Sequence, residues 1–442
     1  MTKDMTRGKV MPQIVSFAVP LILGNLFQLF YNAADSMIVG KFVGTDALAA
    51  VGSSNPLMTL AILFINGMCM GASILMGMNY GAGRTEVMRR QISTTMLSGC
   101  VCSFALSLIC IWQAPWLLRV IRVEEQILPL AALYLRTVFG GLIFTFIYNF
   151  YANTLRALGD SKTPVYFLIL SSVLNVFGDL FFVLVLEMGC EGCALATVIS
   201  QALCSLLCGL YIRKKIPELH LGREWLVFDR EQFLDIVRSG WASAMQQASV
   251  QLGKIGIQVI VNTMGISVTA AFAAVNRVDD FATVPQNSIA SAMTSFLAQN
   301  YGAGKKERIW KGFRSGMFVE AVYGILVGVV CLLGASGIMG MFTEDGEVAG
   351  LGVSYLRLIS CIYLLPSITN GVQGFFRGTG DLKITLWSSI VNMGVRVAAA
   401  VFLVFGFRMG IRALPAAYFL GWAAMLLFEL PLLARKIREK KT

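Results

Sequence analysis

The sequence predicts an all-α integral membrane protein with twelve transmembrane helices in two homologous six-helix bundles. Three observations predict this fold class: the composition, the length of the apolar windows and an internal repeat. Hydrophobic residues make up 56% of the 442 residues and charged residues only 14%, whereas a soluble domain carries about 25% charged residues. A chain of this composition is unable to cover itself with polar surface, so its natural solvent is a bilayer.

Apolar windows recur along the whole chain, for example over residues 14–40, 92–112 and 317–336. Each is close to or longer than the roughly 20 residues that an α-helix needs to cross the hydrocarbon core of a bilayer. The first window is too long for the core of a signal peptide and contains Asp35. It is therefore interpreted as helix 1 and not as a cleaved segment.

The internal repeat consists of four short motifs that recur in the same order at one offset of 221 residues. The pairs are Asn79-Tyr-Gly-Ala-Gly-Arg84 with Asn300-Tyr-Gly-Ala-Gly-Lys305, Tyr134-Leu-Arg136 with Tyr355-Leu-Arg357, Arg156-x-x-Gly-Asp160-x-Lys162 with Arg377-x-x-Gly-Asp381-x-Lys383, and Met188-Gly189 with Met409-Gly410. Four matches at one offset indicate a tandem duplication. The predicted domains are an N-terminal lobe (1–215), a hydrophilic cytoplasmic connector (216–235), a C-terminal lobe (236–434) and a basic cytoplasmic tail (435–442).

The distribution of charge predicts the orientation in the membrane. The net charge is +11, and most of the 36 Lys and Arg residues fall on one side if the N-terminus is cytoplasmic. This asymmetry follows the positive-inside rule and predicts that both termini are cytoplasmic. Since the rule accounts for the basic residues, no nucleic-acid partner is needed. Six helices per half also give both halves the same orientation, with a binding place expected between them.

Several chemistries are disfavoured by what the sequence lacks. His220 is the sole histidine, which excludes a histidine-based metal or catalytic site. The Gly302-Ala-Gly304-Lys305 segment lacks the spacing of a phosphate-binding loop, so ATP is not expected to drive the protein. The ten cysteines lie mostly in apolar helices, and Cys190-x-x-Cys193 is interpreted as small residues that pack. We therefore expect no enzyme activity and no cofactor.

Helix 1 carries the first candidate site. An ionisable residue inside a transmembrane helix is energetically costly, so Asp35 is a functional hypothesis by default. Gly24, Gln28, Tyr31 and Asp35 are spaced four, three and four residues apart. This spacing places them on one face of the helix. Pro20 removes a backbone hydrogen bond and is the predicted kink of this helix.

Helices 5 and 6 supply the predicted partners of Asp35. Asn175 and Asp179 lie one turn apart on helix 5, and Thr197 on helix 6 offers a further oxygen. Together with Asp35 they form the predicted cation-coupling site. Oxygen ligands suit a hard cation such as Na⁺, and two carboxylates in a dry site also favour binding of H⁺. The sequence leaves both ions open, and the alternative is that the acids merely hydrogen-bond neighbouring helices.

The second half has its own polar residues, assigned to the substrate cavity together with Gln28 and Tyr31. They are Gln247, Gln251 and Lys254 on helix 7, and Asp279 and Asp280 on helix 8. An unpaired buried charge is strongly unfavourable, so Lys254 is expected to pair with Asp279 or with Asp280. The 21 methionines would suit adaptable recognition of varied organic compounds.

Along essentially its whole length, the chain resembles the multidrug and toxic compound extrusion transporters, in their bacterial damage-inducible branch. The resemblance rests on Pro20 and Asp35, Gln299-Asn-Tyr-Gly-Ala-Gly-Lys305, Arg156-x-x-Gly-Asp160, Leu174-Asn175 with Asp179, and Gly189-x-x-Gly192-x-x-x-Ala196-Thr197. It implies two lobes that alternate between outward and inward openings, and antiport of drugs against H⁺ or Na⁺. It also implies a cation site at Asp35, Asn175, Asp179 and Thr197. The acidic residues that other branches carry in helices 7 and 10 are missing here.

The resulting expectation is a monomeric, multi-pass transporter of the plasma (inner) membrane that binds a small organic substrate and the lipid bilayer. Three other classes of membrane protein are alternatives. A major facilitator transporter lacks support because the acidic residue before the loop arginine is absent. A lipid-linked oligosaccharide or lipid flippase of the same superfamily remains open because of Lys254, Arg277 and Arg396. A receptor or scaffold fits worst, since a duplicated bundle with buried carboxylates in one half is typical of coupled transport.

Overall fold

The computed structural model describes residues 3–216 and 226–438, and all regular structure in these residues is helical. The first half contains α1 (Val10–Ile38), α2 (Thr45–Gly81), α3 (Thr85–Val120), α4 (Leu128–Gly140), α5 (Leu142–Ala157), α6 (Lys162–Leu180) and α7 (Gly189–Lys215). The second half contains α8 (Arg230–Asn262), α9 (Ile266–Gly302), α10 (Lys306–Gly340), α11 (Gly346–Ser360), α12 (Leu364–Gly378), α13 (Leu382–Val401) and α14 (Ala413–Arg438). His220 and parts of the predicted connector and tail lie outside the described residues.

The predicted repeat is visible in the backbone. The pair α4 and α5 bends by 46° at its break, and the equivalent pair α11 and α12 bends by 49°. A π-helical segment, Phe181–Val185, extends α6, and Phe402–Gly406 extends α13 at the same repeat offset. The duplication inferred from short motifs therefore extends to bends and helix ends between those motifs.

The repeated Asn-Tyr-Gly-Ala-Gly motif ends a long helix in each half. Gly83 after α2 has a φ of +71° and Gly304 after α9 a φ of +68°. A side chain at this left-handed conformation would clash with its own backbone, so glycine is favoured there. The motif is therefore a helix-terminating turn.

The helices have the length and composition of membrane spans. Among the described residues, eight helices are long and apolar enough to cross a bilayer, and the two bent pairs raise this number to ten. The remaining two, α8 and α9, have 33 and 37 residues and are long enough, but they carry the polar residues predicted for the second half. Counting each bent pair as one span gives twelve, which confirms the predicted fold class.

The chain divides into two compact units. The first comprises Val19–Ala244, the residues before Gly8, and Gly302–Gly304, and the second comprises Gly8–Ala18, Met245–Tyr301 and the chain from Lys305 onward. The change at Ala244 falls inside α8, nine residues after the predicted connector ends. The two compact units are defined by contacts in space, whereas the predicted lobes are defined by the sequence repeat. The predicted limits of the lobes therefore stay a prediction.

Close packing inside the first unit depends on small residues of α2. A Cβ atom on Gly67 would lie 2.5 Å from the Cα of Ala244, and one on Gly71 would lie 2.4 Å from the carbonyl oxygen of Ser239. Both distances are shorter than atoms tolerate. The glycines therefore allow the third and fourth turns of α8 to approach the backbone of α2, as small residues do between membrane helices.

The described end of the predicted connector is ordered against α3. The backbone N–H of Val227 donates to Ser93 Oγ at 3.0 Å, and that of Asp229 donates to Thr94 Oγ1 at 3.0 Å. Helix α8 then begins at Arg230. Residues 230–235 are helical, although the sequence predicted them as connector, because Asp229 Oδ1 accepts hydrogen bonds from Glu231 N at 3.0 Å and Gln232 N at 3.2 Å and so caps the helix.

Candidate functional site

Three helices of the first unit bring acidic side chains together. One carboxylate oxygen each of Asp35 on α1 and Asp179 on α6, and the Sγ of Cys193 on α7, all lie within 4.8 Å of one another. Asp179 and Cys193 are buried, and Asp35 is half-buried. Residues separated by more than 140 positions therefore meet where the sequence predicted the cation-coupling site.

Asn175 links the acidic pair to α7. One end of its amide lies 3.1 Å from both the backbone nitrogen and Oγ1 of Thr197, and the other end lies 3.1 Å from Asp179 Oδ2 and 3.2 Å from Tyr31 Oη. A backbone N–H only donates, so the amide oxygen faces Thr197 and the amide nitrogen donates to Asp179. The four predicted coupling residues and Tyr31 thus form one connected cluster.

The cluster leaves acidic oxygens without partners. Within the part of the chain that the structure describes, Oδ1 of Asp35 and Oδ1 of Asp179 are buried and have no hydrogen-bond partner. Buried polar atoms are nearly always paired, and a buried negative charge needs an opposite charge nearby. The arrangement is therefore suited to hold a proton or a cation between the two carboxylates.

The donor set can be tested against a metal ion. Carboxylate oxygens suit Na⁺, but the third nearby atom is a thiol sulfur, which is a soft ligand and a poor match for a hard cation. The amide of Asn175 turns its nitrogen, which does not ligate metals, toward Asp179. In this arrangement the two carboxylates fit the site, whereas Asn175 and Thr197 bind each other.

Other residues predicted for the first half are placed differently. Gln28 is exposed, whereas Tyr31, on the same helix, contacts Asn175. Helix α1 is continuous through Pro20, which lies immediately after the point at which the chain passes from one unit to the other. The role of Pro20 as a kink stays a prediction.

The polar residues predicted for the second-half cavity lie on α8 and α9. Gln247 and Gln251 are half-buried. Lys254 Nζ lies 4.0 Å from Asp280 Oδ1, and the two side chains are 57% and 40% exposed. Lys254 thus pairs with Asp280, one of its two predicted partners, at the long end of the ion-pair range. Asp279 is also half-buried and has Lys254 and Arg396 as electrostatic neighbours.

Sequence reasoning missed two buried acids of the second half. Glu320 on α10 is fully buried, and neither carboxylate oxygen has a hydrogen-bond partner among the described residues. Glu429 on α14 is fully buried and accepts a hydrogen bond from Gln373 Nε2 at 3.1 Å, while Arg377 Nη2 donates to Gln373 Oε1 at 2.9 Å. Each acid interrupts an apolar window, which is a signal that the sequence did offer.

Cys193 was also missed as a member of the first-half site. It lies one turn before Thr197 on α7, and its carbonyl oxygen lies 3.0 Å from Thr197 Oγ1. A spacing of four residues on a helix places both on one face. This spacing would have indicated the cysteine once Thr197 was chosen.

Comparison with known proteins fixes the family. The MatE family model matches residues 20–181 and again residues 242–402, so it matches twice at the spacing of the repeat. The chain belongs to the MatE family. The more specific placement of this MatE chain in the damage-inducible branch stays a prediction.

Individual relatives extend along nearly the whole MatE chain. It is 31% identical over 415 residues to Probable multidrug resistance protein YoeA of Bacillus subtilis, covering 91% of this chain and 89% of the relative. It is 28% identical over 398 residues to Probable multidrug resistance protein YpnP of the same organism, covering 89% and 88%. These matches identify the MatE chain as a multi-span membrane transporter of the multidrug efflux type.

A solved structure agrees with the fold. It is described as the outward-facing conformation of a multidrug resistance MATE family transporter, and it superposes with a TM-score of 0.92 over 99% of this chain and 98% of the other. The sequence identity is 24%, so this likeness concerns the fold alone.

Proposed function

We propose that this MatE protein is a secondary active antiporter that exports organic, cationic and hydrophobic compounds in exchange for H⁺ or Na⁺ by alternating access of its two lobes. The observation that carries the proposal is the pair formed by Asp35 and Asp179, each with a buried oxygen that no described group satisfies. A coupling ion would satisfy both. The relatives named multidrug resistance proteins support the class of substrate.

The geometry supports coupling through charge neutralisation. Two carboxylates with oxygens within 4.8 Å of each other repel strongly where water is scarce, so the doubly charged pair is unstable. Binding of one cation or proton relieves this repulsion, which acts on α1 through Asp35. Exchange then requires that the ion and the exported compound favour opposite states of one two-state element.

The donor set favours H⁺ over Na⁺ as the exchanged ion. A proton needs only the two carboxylates, which could share it, whereas Na⁺ needs several further oxygens. The oxygen of Asn175 faces Thr197, and Cys193 supplies sulfur. Asn175 then acts by donating to Asp179 and holding it toward Asp35. The two acids would gain and lose protons as a coupled pair.

Helix α1 is the proposed two-state element. Pro20 lacks a backbone N–H, which weakens the helix one turn earlier and permits a bend there. Asp35 lies about four turns further along the same helix, so its charge can bias the bend. Neutralisation of the acidic pair would favour release of the exported compound outside, and loss of the ion to the cytoplasm would reset the site.

The setting is proposed to be the plasma membrane, with a monomer whose termini are cytoplasmic. The named relatives are bacterial, and the positive-inside distribution supports the orientation. A cysteine introduced at residue 220, after replacement of the native cysteines, should react with an impermeant reagent only in permeabilised cells. Labelling in intact cells would show that residue 220 lies outside the cell and would contradict the proposed orientation.

The decisive experiment separates the two coupling ions. Purified protein in proteoliposomes should expel a fluorescent cationic dye under a pH gradient in Na⁺-free buffer. A Na⁺ gradient at equal pH on both sides should drive no movement above that of protein-free liposomes. Dye movement driven by the Na⁺ gradient alone would contradict the assignment to H⁺. The absence of dye movement under both gradients would contradict the antiport proposal.

A lipid flippase is the competing function and needs a parallel measurement. The same proteoliposomes can carry a fluorescent phospholipid, whose movement between leaflets is followed by chemical quenching. We expect no acceleration over protein-free liposomes. Rapid lipid movement without dye export would replace the antiporter proposal with the flippase.

A further inference from the structure

The second half carries a buried arginine at the repeat position of the cation cluster. Arg396 on α13 lies 221 residues after Asn175, and Tyr418 on α14 lies 221 residues after Thr197. Arg396 is only 3% exposed. A buried guanidinium within a membrane helix is costly, so its surroundings should reveal what offsets that cost.

Two aromatic rings lie against the guanidinium group of Arg396. The Cζ atom of Arg396 lies 4.1 Å from the ring centroid of Tyr418 and 4.7 Å from that of Trp422. These residues are four apart on α14 and therefore share one face of that helix. Such cation–π contacts stabilise the charge and hold the plane of the guanidinium in a fixed orientation.

One edge of the guanidinium has two buried donors that the described residues do not satisfy. Within residues 3–216 and 226–438, the buried Nε and Nη2 atoms of Arg396 have no hydrogen-bond partner. Nε–H and Nη2–H lie side by side on the guanidinium, and this pair binds the two oxygens of a carboxylate in parallel. The unpartnered donors thus form a pre-oriented fork.

Charged and titratable groups around the fork come from four helices. Asp279 on α9 and Tyr355 on α11 are electrostatic neighbours of Arg396, in addition to Tyr418 on α14. Lys254 on α8 and Asp280 on α9 act on Asp279 in turn. Asp279 therefore offsets part of the charge of Arg396 without satisfying its two free donors.

We propose that Arg396 is the carboxylate-binding residue of a site within the second unit, and that its ligand is a soluble aromatic organic carboxylate. The fork binds the carboxylate, and Trp422, the half-buried member of the aromatic pair on α14, packs against the apolar part of the ligand. This inference deepens the proposed function by adding anionic or zwitterionic compounds to its substrates, and only its step from binding to export rests on that function.

Binding of a matched pair of compounds to full-length protein in phosphatidylcholine nanodiscs tests the site. Isothermal titration calorimetry with 2-naphthoate and with 2-naphthamide, corrected with empty nanodiscs, separates recognition of the carboxylate from apolar partition. We expect 2-naphthoate to bind at least roughly tenfold more tightly, because a charge-assisted bidentate contact adds more than 1.4 kcal/mol. Equal affinity for the amide overturns the site.

Three variants sharpen the test. Arg396→Lys keeps the charge but loses the fork, so 2-naphthoate should bind about tenfold more weakly. Asp279→Asn removes a competing negative charge and should tighten binding, a gain that a misfolded protein is unable to show. Arg277→Gln removes an exposed charge of the same unit and should change nothing. Unchanged affinity in the first two variants, or equal loss in Arg277→Gln, overturns the assignment.

Two further arms separate the remaining outcomes. Replacing part of the phosphatidylcholine by phosphatidylglycerol should leave the affinity for 2-naphthoate unchanged, and its loss would assign the fork to an anionic lipid headgroup instead. Dye export under a pH gradient is measured on the same preparations. Export without naphthoate binding would contradict this inference alone. Naphthoate binding without export would contradict only the proposed antiport.

Discussion

The two halves of the chain share a backbone plan but differ in the chemistry placed on it. In the first half, Asp35, Asn175 and Asp179 form an acidic cluster with unsatisfied oxygens. At the repeat positions the second half has Gly256, Arg396 and Ala400. One half therefore favours a bound cation, and the other presents a cation of its own.

The comparison shows that helix geometry constrains side-chain chemistry only weakly. The bends of 46° and 49° and the paired π-helical segments are kept, since they depend on backbone hydrogen bonds and on packing. The side chains at the same positions have diverged, because the two acids are replaced by Gly256 and Ala400 and the neutral Asn175 by Arg396. The two halves are proposed to bind different partners on this shared backbone plan, and the following experiments test that division.

The largest effect is expected for Asp35→Asn. The amide keeps the size of the side chain but fixes it in a neutral state, so the ion no longer changes the charge of the cluster. Dye export under a pH gradient should fall to the level of protein-free liposomes, with normal amounts of folded protein. Asp46→Asn, which alters an exposed acid in the first turn of α2, is the matched control. Wild-type export by Asp35→Asn at equal expression would remove Asp35 from the mechanism.

Thr197→Val should have a moderate effect. Valine keeps the shape but removes the hydroxyl that lies 3.1 Å from the amide oxygen of Asn175. One hydrogen bond contributes about 1 kcal/mol, so the initial rate of export should fall about fivefold because Asn175 holds Asp179 less firmly. Thr137→Val, which removes a hydroxyl bonded within α4 at 3.0 Å, controls for the substitution itself. Equal rates in both variants would show that Asn175 needs no support from the hydroxyl of Thr197.

The repeated Gly-Asp turns provide a comparison of stability. Asp160 is buried and accepts hydrogen bonds from Lys162 N and Thr163 N, both at 3.0 Å, and from Thr163 Oγ1 at 2.7 Å. Its counterpart Asp381 is partly exposed and lies 3.1 Å from Lys436 Nζ. Asp160→Ala should lower the free energy of unfolding by about 1–3 kcal/mol, and Asp381→Ala by less than about 1 kcal/mol, as measured by thermal unfolding in detergent.

The pH dependence of that difference has a definite sign. Burial raises the pKa of Asp160, but hydrogen bonds, including those from Thr163, outweigh it and hold the pKa below its usual value. A lowered pKa in the folded state contributes stability above the unfolded pKa of about 3.9 and loses it as the pH falls through the folded value. The gap between wild type and Asp160→Ala should narrow below about pH 4, and a constant gap would contradict the assigned role of the charge.

The smallest effect is expected for Glu320→Gln. Glu320 is buried, but it lies in the second half, and the acidic cluster of the first half is proposed to carry the coupling ion alone. Export under a pH gradient should stay within about twofold of wild type, a margin of less than 0.5 kcal/mol. Loss of export in a folded Glu320→Gln protein would break the division between the halves, because a second-half carboxyl would then take part in coupling.

Local sequence patterns were sufficient for the architecture. Apolar windows indicated the spans because every backbone group in a bilayer must be paired within a helix. The motif pairs indicated the duplication, and the family match at residues 20–181 and 242–402 follows the same spacing. The cost of charge in a membrane likewise directed attention to Asp35 and Asp179.

The sequence by itself thus determined the class of fold, the duplication and the choice of candidate acids, since each depends on composition, periodicity or spacing along the chain. Only the tertiary structure decided which atoms meet. It placed Cys193 beside the acids, turned the amide nitrogen of Asn175 toward Asp179, and stacked Arg396 over Tyr418. Contacts of this kind join helices that are far apart in sequence, and they depend on how those helices pack and rotate, which no local pattern encodes.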